Sequence, residues 1–185
     1  MAKTYLWTVD VETDWGGRTS TTQGLEEGLP FILETFRAYK VRGLFFVSTE
    51  LLRDHASLIK NIKDHGHEIG SHGHFHVVYA CPVRRVQDRE ISMSLLKSYR
   101  LADDPKYRGP KFCLEEEGNP YSTRANHCGL IRSTFGIDKH QSGNIIYMHP
   151  FDIVEPKTKA PNLFCKLWYS RPKKAKVMLE NLLTS

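Results

Sequence analysis

Cysteine is scarce and scattered: Cys81, Cys113, Cys128 and Cys165 are the four in 185 residues, and no two form a C-x-x-C pair. That spacing argues against a cysteine zinc site, and the default for such thiols in a cytoplasmic protein is the reduced state. Long apolar runs are also missing, and none approaches the length of a bilayer span. The opening Met1-Ala2-Lys3-Thr4-Tyr5-Leu6-Trp7 has one basic residue and then enters a short apolar stretch ending at Asp10. This is too brief for a secretory leader, so the expected location is cytoplasmic. Neither an internal repeat nor a low-complexity tract is present.

What remains is ordinary for a soluble globular protein: 40% hydrophobic and 25% charged residues. The length suits a single domain, residues 1–185, with a substantial core. The formal charge is +5, and much of the excess lies at Lys157, Lys159, Lys166, Arg171, Lys173, Lys174 and Lys176. Such a stretch can attract an anionic glycan, a lipid head group or a nucleic acid. The plainer reading is a solvated helix face with its flanking loop. No nucleic-acid-binding fingerprint accompanies the charge, so no nucleic-acid partner is expected.

Strand and helix patterns alternate. Leu6-Trp7-Thr8-Val9 suits a buried strand. Leu25, Leu29, Ile32, Leu33 and Phe36 recur at helical spacing and predict an amphipathic helix over 24–39, with Pro30 as a local weakness. Leu44-Phe45-Phe46-Val47 is the next strand. Leu58, Ile59 and Ile62 mark a second helix that stops at His65-Gly66, where glycine suits the left-handed cap. A third short strand is expected over 67–70. Residues 86–101 and 173–183 read as helices, 118–126 as loop, and Ile145-Ile146-Tyr147-Met148 as a buried strand. This order implies right-handed crossovers and a parallel sheet, whose chemistry gathers at the carboxyl ends of the strands. Polar clusters follow Val9, Gly70 and Met148, where such chemistry belongs.

In the cluster after Gly70, His72 and His76 stand four apart, so one turn or a tight loop can bring both imidazoles to one side. Gly70 and Gly73 allow the backbone to bend close to a bound ion. After Val9 come Asp10, Glu12 and Asp14, whose alternation along a strand end projects them to one side. Two histidines and a carboxylate make a common catalytic zinc arrangement, and a second carboxylate can accept a proton from the attacking water. Arg108 can hold a carboxylate by paired hydrogen bonds. His149, straight after a buried strand and before Pro150, is placed as a general acid. Taken singly, each has a plainer reading: a histidine-rich turn, an acidic loop, a surface arginine, a capped histidine.

Together they carry a resemblance. Gly66-His67-Glu68-Ile69-Gly70-Ser71-His72 followed by His76 looks like the second motif of the NodB-like polysaccharide deacetylases. Asp10-Val11-Glu12 resembles the first motif of that family, and Arg108-Gly109-Pro110 the third. Met148-His149-Pro150-Phe151-Asp152 followed by Pro156 is similar to the last motif of one branch, and Gly43-Leu44-Phe45-Phe46-Val47 to a strand of the family. The motifs stand in family order. The likeness is continuous over residues 8–79 and patchy to 156.

The resemblance implies a distorted (β/α) barrel and a divalent metal, zinc first, with nickel, cobalt or iron compatible with the same ligands. It assigns His72, His76 and Glu12 as ligands, with Asp14 in reserve. Asp10 is then the base, Arg108 its tether and His149 the acid. A backbone N–H near Lys111 or Phe112 is expected to help hold the oxyanion, and Asp138 is a candidate to orient His149. The implied reaction removes the acyl group of an N-acylated sugar and releases acetate. Only residues 111–147 join the third and last motifs, a far shorter stretch than the family's. The barrel is therefore expected to be incomplete, with an open sheet or one completed by a second copy in a homo-oligomer. Two other readings stay open: a non-catalytic, metal-containing carbohydrate-binding module, with Trp15, Phe75, Tyr79 and Tyr121 available for stacking on sugar rings, and a hydrolase of a non-sugar amide.

Overall fold

The computed structural model describes residues 5–77, 79, 81–109, 127–129, 145–169 and 172–184. Its centre is a parallel sheet of five strands: β1 (Leu6–Val11), β2 (Gly43–Val47), β3 (Glu68–Ser71), β4 (His127–Gly129) and β5 (Ile145–Met148). The spatial order is β3-β2-β1-β5-β4, which leaves β1 central. It is an α/β fold of the incomplete-barrel kind. Around the sheet lie helices α1 (Leu29–Ala38), α2 (Leu52–Asp64), α3 (Pro82–Ser98), α4 (Leu163–Trp168) and α5 (Pro172–Thr184).

The apolar pattern explains the packing. Leu25, Leu29, Ile32, Leu33 and Phe36 are all buried, and they meet Val9, Val11, Phe45 and Val47 from the sheet. The helix expected over 24–39 forms in two registers: Gly24–Gly28 is a π turn and Leu29–Ala38 is α-helical. Pro30 lacks an N–H and so belongs in a first helical turn, which is where this division puts it. The π turn also lies against the turn Pro150–Ile153, so close that a Cβ on Gly28 would fall 2.0 Å from the Pro150 carbonyl oxygen.

Helix α2 ends at Asp64, and Gly66 takes φ +80°, the left-handed conformation expected of it. The third strand runs one residue later than its apolar pattern suggests. His67 instead turns inward between Phe36 and Phe45, at ring distances of 5.7 and 5.0 Å, and its Nδ1 accepts a hydrogen bond from the Gly43 N–H. A small second core of Trp15, Phe151, Cys165 and Tyr169 ties α4 to the loop after β1.

Candidate active site

The carboxyl ends of β1, β3 and β5 converge on one cluster. Asp10 and Glu12 lie at and just beyond the end of β1, His72 follows β3 and His149 follows β5. Asp10 (2% exposed), Glu12 (5%) and His72 (2%) are removed from water, while the His149 side chain keeps 17% exposure and marks the mouth. Each buried carboxylate must therefore find positive charge nearby or take up a proton.

Arg108 supplies that charge to Asp10. It is fully buried, donates to Asp10 Oδ1 at 2.6 Å and to Thr8 Oγ1 at 2.8 Å, and lies over the Phe46 ring at 4.2 Å. Burial alone would raise the Asp10 pKa, but Arg108, with His72 and His149 behind it, lowers it below the ordinary value. Asp10 therefore stays ionised.

Glu12 faces the histidines. Its Oε2 lies 2.6 Å from His76 Nε2 and 3.4 Å from His72 Nε2, and His149 Nε2 stands 3.5 Å from Oε1. Even so, neither Glu12 oxygen has a well-aligned hydrogen-bond donor. Burial again works against the charge, yet His76 and His72 hold the Glu12 pKa well below the usual carboxylate range. One donor atom from each of Glu12, His72 and His76 falls within 4.8 Å of the others.

The tautomer of His72 is set by its other nitrogen: Nδ1 lies 2.8 Å from the Arg108 carbonyl oxygen and must donate to it. Burial opposes charge on this ring, but Asp10 and Glu12 raise its pKa above the ordinary value; in its neutral form the ring presents its Nε2 lone pair towards Glu12, in the arrangement that orients metal-binding histidines. Two imidazole lone pairs and a carboxylate without aligned donors fit a divalent cation better than they fit one another.

The loop between the histidines is secured from α3. The Asp88 carboxylate, 6% exposed, accepts from the backbone N–H of His74 at 3.0 Å and of Phe75 at 3.1 Å. Gly73, at φ +88°, leaves room for it: a Cβ there would sit 2.6 Å from Asp88 Oδ2. Gly17, at φ +70°, serves His76 in the same way, because a Cβ on it would come within 2.1 Å of the ring Nδ1.

On the other side, Asp152 orients His149. One of its oxygens accepts from the His149 backbone N–H at 2.7 Å and lies 3.2 Å from the ring Nδ1. Burial opposes charge on His149, but Asp152, helped by Glu12 and Asp10, raises its pKa to about 10.

The structure thus brings together Asp10, Glu12, His72, His76, Arg108 and His149. Asp14 is placed apart from them. Its two oxygens accept the backbone N–H of Gln23 and Gly24, each at 2.8 Å, so it anchors the entry to the π turn. Trp15 is 3% exposed and belongs to the second core, whereas Phe75 is 43% exposed. Pro110, Lys111, Phe112, Tyr121, Asp138 and Arg171 lie outside the described residues.

Asp88 and Asp152 are functional neighbours that the sequence reading lacked. Asp152 had a signal, since it stands three residues after His149 at a turn start, the spacing of a capping box. Asp88 had none, because its partners are backbone groups on a different element. A groove of about 550 Å³ opens beside His76, lined among others by Arg18, Thr19, Glu50, Arg53 and Phe75.

Comparisons with known proteins bear on the fold and on part of the sequence. The polysaccharide deacetylase family model matches residues 14–101. A peptidoglycan-N-acetylmuramic acid deacetylase, PdaA of Bacillus subtilis (strain 168), is 39% identical over 54 residues, which are 29% of this chain and 20% of that protein's length. Among solved structures, the Bc1960 peptidoglycan N-acetylglucosamine deacetylase superposes with a TM-score of 0.61 at 19% identity, over 98% of this chain and 82% of its own. The pseudoenzyme BA3943 of Bacillus anthracis, of carbohydrate esterase family 4, gives 0.54 at 14% identity, over 99% and 66%. The structural likenesses speak for the fold, and over residues 14–101 the sequence is similar to the polysaccharide deacetylase family.

Proposed function

We propose that the protein is a divalent-metal-dependent deacetylase that hydrolyses the N-acetyl amide of an amino sugar or glycan. The observation that carries this reading is the Glu12 carboxylate, buried and without an aligned donor, with His72 Nε2 and His76 Nε2 beside it. Those three residues would hold the ion, with zinc the first choice for two imidazoles and one carboxylate. When bound, the metal supplies Lewis-acid polarisation of the acyl carbonyl and makes water more acidic.

The remaining work belongs to the chain. Asp10, kept ionised by Arg108, accepts the proton of the attacking water. Arg108 holds that carboxylate in place and, through its own carbonyl, holds His72 as well. His149, whose proton is stabilised by Asp152, delivers it to the amine nitrogen as the C–N bond breaks. Acetate and the free amino sugar leave. The groove beside His76, with the exposed Phe75 ring on its wall, suits a polar ligand with an apolar face, as a sugar ring has.

A second reading has specific support. The likeness to the BA3943 pseudoenzyme shows that the fold is found without its chemistry. Under that reading the chain binds metal and glycan without turnover.

The test is metal content after purification without added metal, alongside acetate release from a panel of N-acetylated sugars. His72→Ala and His76→Ala are expected to abolish both. Asp14→Asn, which alters an anchor rather than a ligand, is expected to retain the metal. Unchanged metal in both histidine variants would sink the site. Metal bound without acetate release from any sugar would favour the binding module.

A further inference from the structure

Residues 156–179 contain seven lysines and arginines and no aspartate or glutamate. Within this segment, α4 is one and a half turns long and is started by Asn162, whose side chain accepts from the Cys165 N–H at 2.8 Å. Cys165 points into the second core and is fully buried. The opposite side of the helix consequently turns outward: Leu163 is 69% exposed and Phe164 55%. Leu163 is the most exposed large apolar residue among those described. Lys166 stands one turn after Leu163, at the i,i+3 spacing that puts two side chains on one side, and both Lys166 and Lys159 are exposed.

This patch adjoins the groove of the active site. The Arg18 guanidinium lies 5.2 Å from the Phe164 ring centroid, and Arg18 also lines the groove that contains His76. Protruding apolar side chains set among cations with no intervening acid meet the two demands of an anionic lipid surface: a layer to enter and phosphates to face. A nucleic acid would use the cations but gain nothing from an exposed leucine.

We propose that this segment docks the protein on an anionic lipid surface. Leu163 and Phe164 enter the head-group layer, and Lys159, Lys166 and Arg18 rest against lipid phosphates. The active-site groove then opens beside the bilayer. This inference is independent of the chemistry assigned to Glu12 and the histidines, because it uses none of them.

The experiment is co-sedimentation of the full chain with vesicles of phosphatidylcholine alone, and with vesicles in which about a third of the lipid is phosphatidylglycerol. Binding is expected to the anionic vesicles only, and to weaken at high salt. Lys159→Glu with Lys166→Glu is expected to lower partitioning about 30-fold or more. Leu163→Ser with Phe164→Ser is expected to lower it about tenfold. Thermal melts at the wild-type Tm show that the variants fold. Should a double variant not fold, Lys159→Glu alone, on an exposed loop, is expected to give about a fivefold loss. Equal sedimentation with both vesicle types, or with neither, overturns the proposal. So do full binding by the folded charge-reversed variant and preference for a DNA duplex over vesicles in competition.

Discussion

The two sides of the active site are built by different means. On the side of β1 to β3, the supports come from groups distant in sequence: Arg108 reaches Asp10 and His72, and Asp88 reaches the 74–75 backbone. On the side of β5, His149 is oriented by Asp152, three residues away in the same turn. A long-range network is rigid because several elements must move before any one ligand can. A one-turn device is independent of the rest, so it can be changed or lost without disturbing the fold. The family match over residues 14–101 includes His72, His76 and Asp88 of the first side, but not Asp10, Glu12 or Arg108, and stops before the second.

The sharpest way to break the comparison is at β1, where two carboxylates two residues apart are given different tasks. Asp10→Asn preserves shape but cannot accept a proton, so turnover should fall about 10²- to 10⁴-fold while bound metal is unchanged. Glu12→Gln should instead lose metal first, and excess metal should restore part of the rate. Metal analysis and turnover on both variants decide the matter. Loss of metal in Asp10→Asn, with retention in Glu12→Gln, would exchange the two roles.

How much of this could be read in the sequence follows the same division. The parallel strands, the buried faces of α1 and α2 and the set of Asp10, Glu12, His72, His76, Arg108 and His149 all rest on local periodicity or on short motifs, whereas the strand order does not. Asp14 belongs to the same alternating run as Glu12, and only the fold shows that its oxygens accept the N–H groups of Gln23 and Gly24. Asp88 is one polar residue in a helix with little amphipathic pattern, and its purpose depends on a loop packed against it. Helix α4 is too short for a periodic signal, since its inward side consists of little more than Cys165.

Asp88 offers the next test. In Asp88→Asn one oxygen still accepts, but the amide nitrogen now meets a backbone N–H of the 74–75 pair. The loop carrying His76 should loosen, and metal affinity should fall about 10- to 100-fold, as for outer partners of metal ligands elsewhere. Titration with cobalt, followed by its visible absorption, measures this directly. A wild-type affinity and spectrum would show that the ligand side does not depend on α3.

The acid side should respond in pH rather than in metal. His149 has a raised pKa, about 10, so it keeps its proton at neutral pH and loses it as pH rises through that value. A cation on Glu12 would draw the value down, but Asp152 still acts in the opposite direction. Asp152→Asn should therefore move the alkaline limb of the rate profile to lower pH, with metal content unchanged. The neutral-pH rate should drop by about tenfold or less, because the acid is mispositioned rather than removed. An unshifted alkaline limb would mean that His149 is not the group titrating there.

The last effect is on stability rather than on turnover and lies in the core behind the second motif, where His67 tests whether the ligand side is held by packing as well as by polar contacts. His67 is 6% exposed; burial, with Arg42 and His65 nearby, lowers its pKa from 6.5 to about 4. Its Nδ1 accepts from Gly43, which leaves the proton on Nε2. Between pH 6.5 and 4 the unfolded chain binds a proton that the folded chain resists, so stability falls as pH drops through that window. Above pH 6.5 both states are neutral and the group contributes no pH dependence. The expected loss from pH 7 to pH 4.5 is about 2–3 kcal/mol. His67→Gln retains an acceptor for Gly43 but has no proton to gain, so its urea midpoint should change less over the same interval. Parallel acid dependence in the two proteins would assign the loss elsewhere, with the buried carboxylates Asp10 and Glu12 the first alternatives, since both are held ionised below their ordinary pKa.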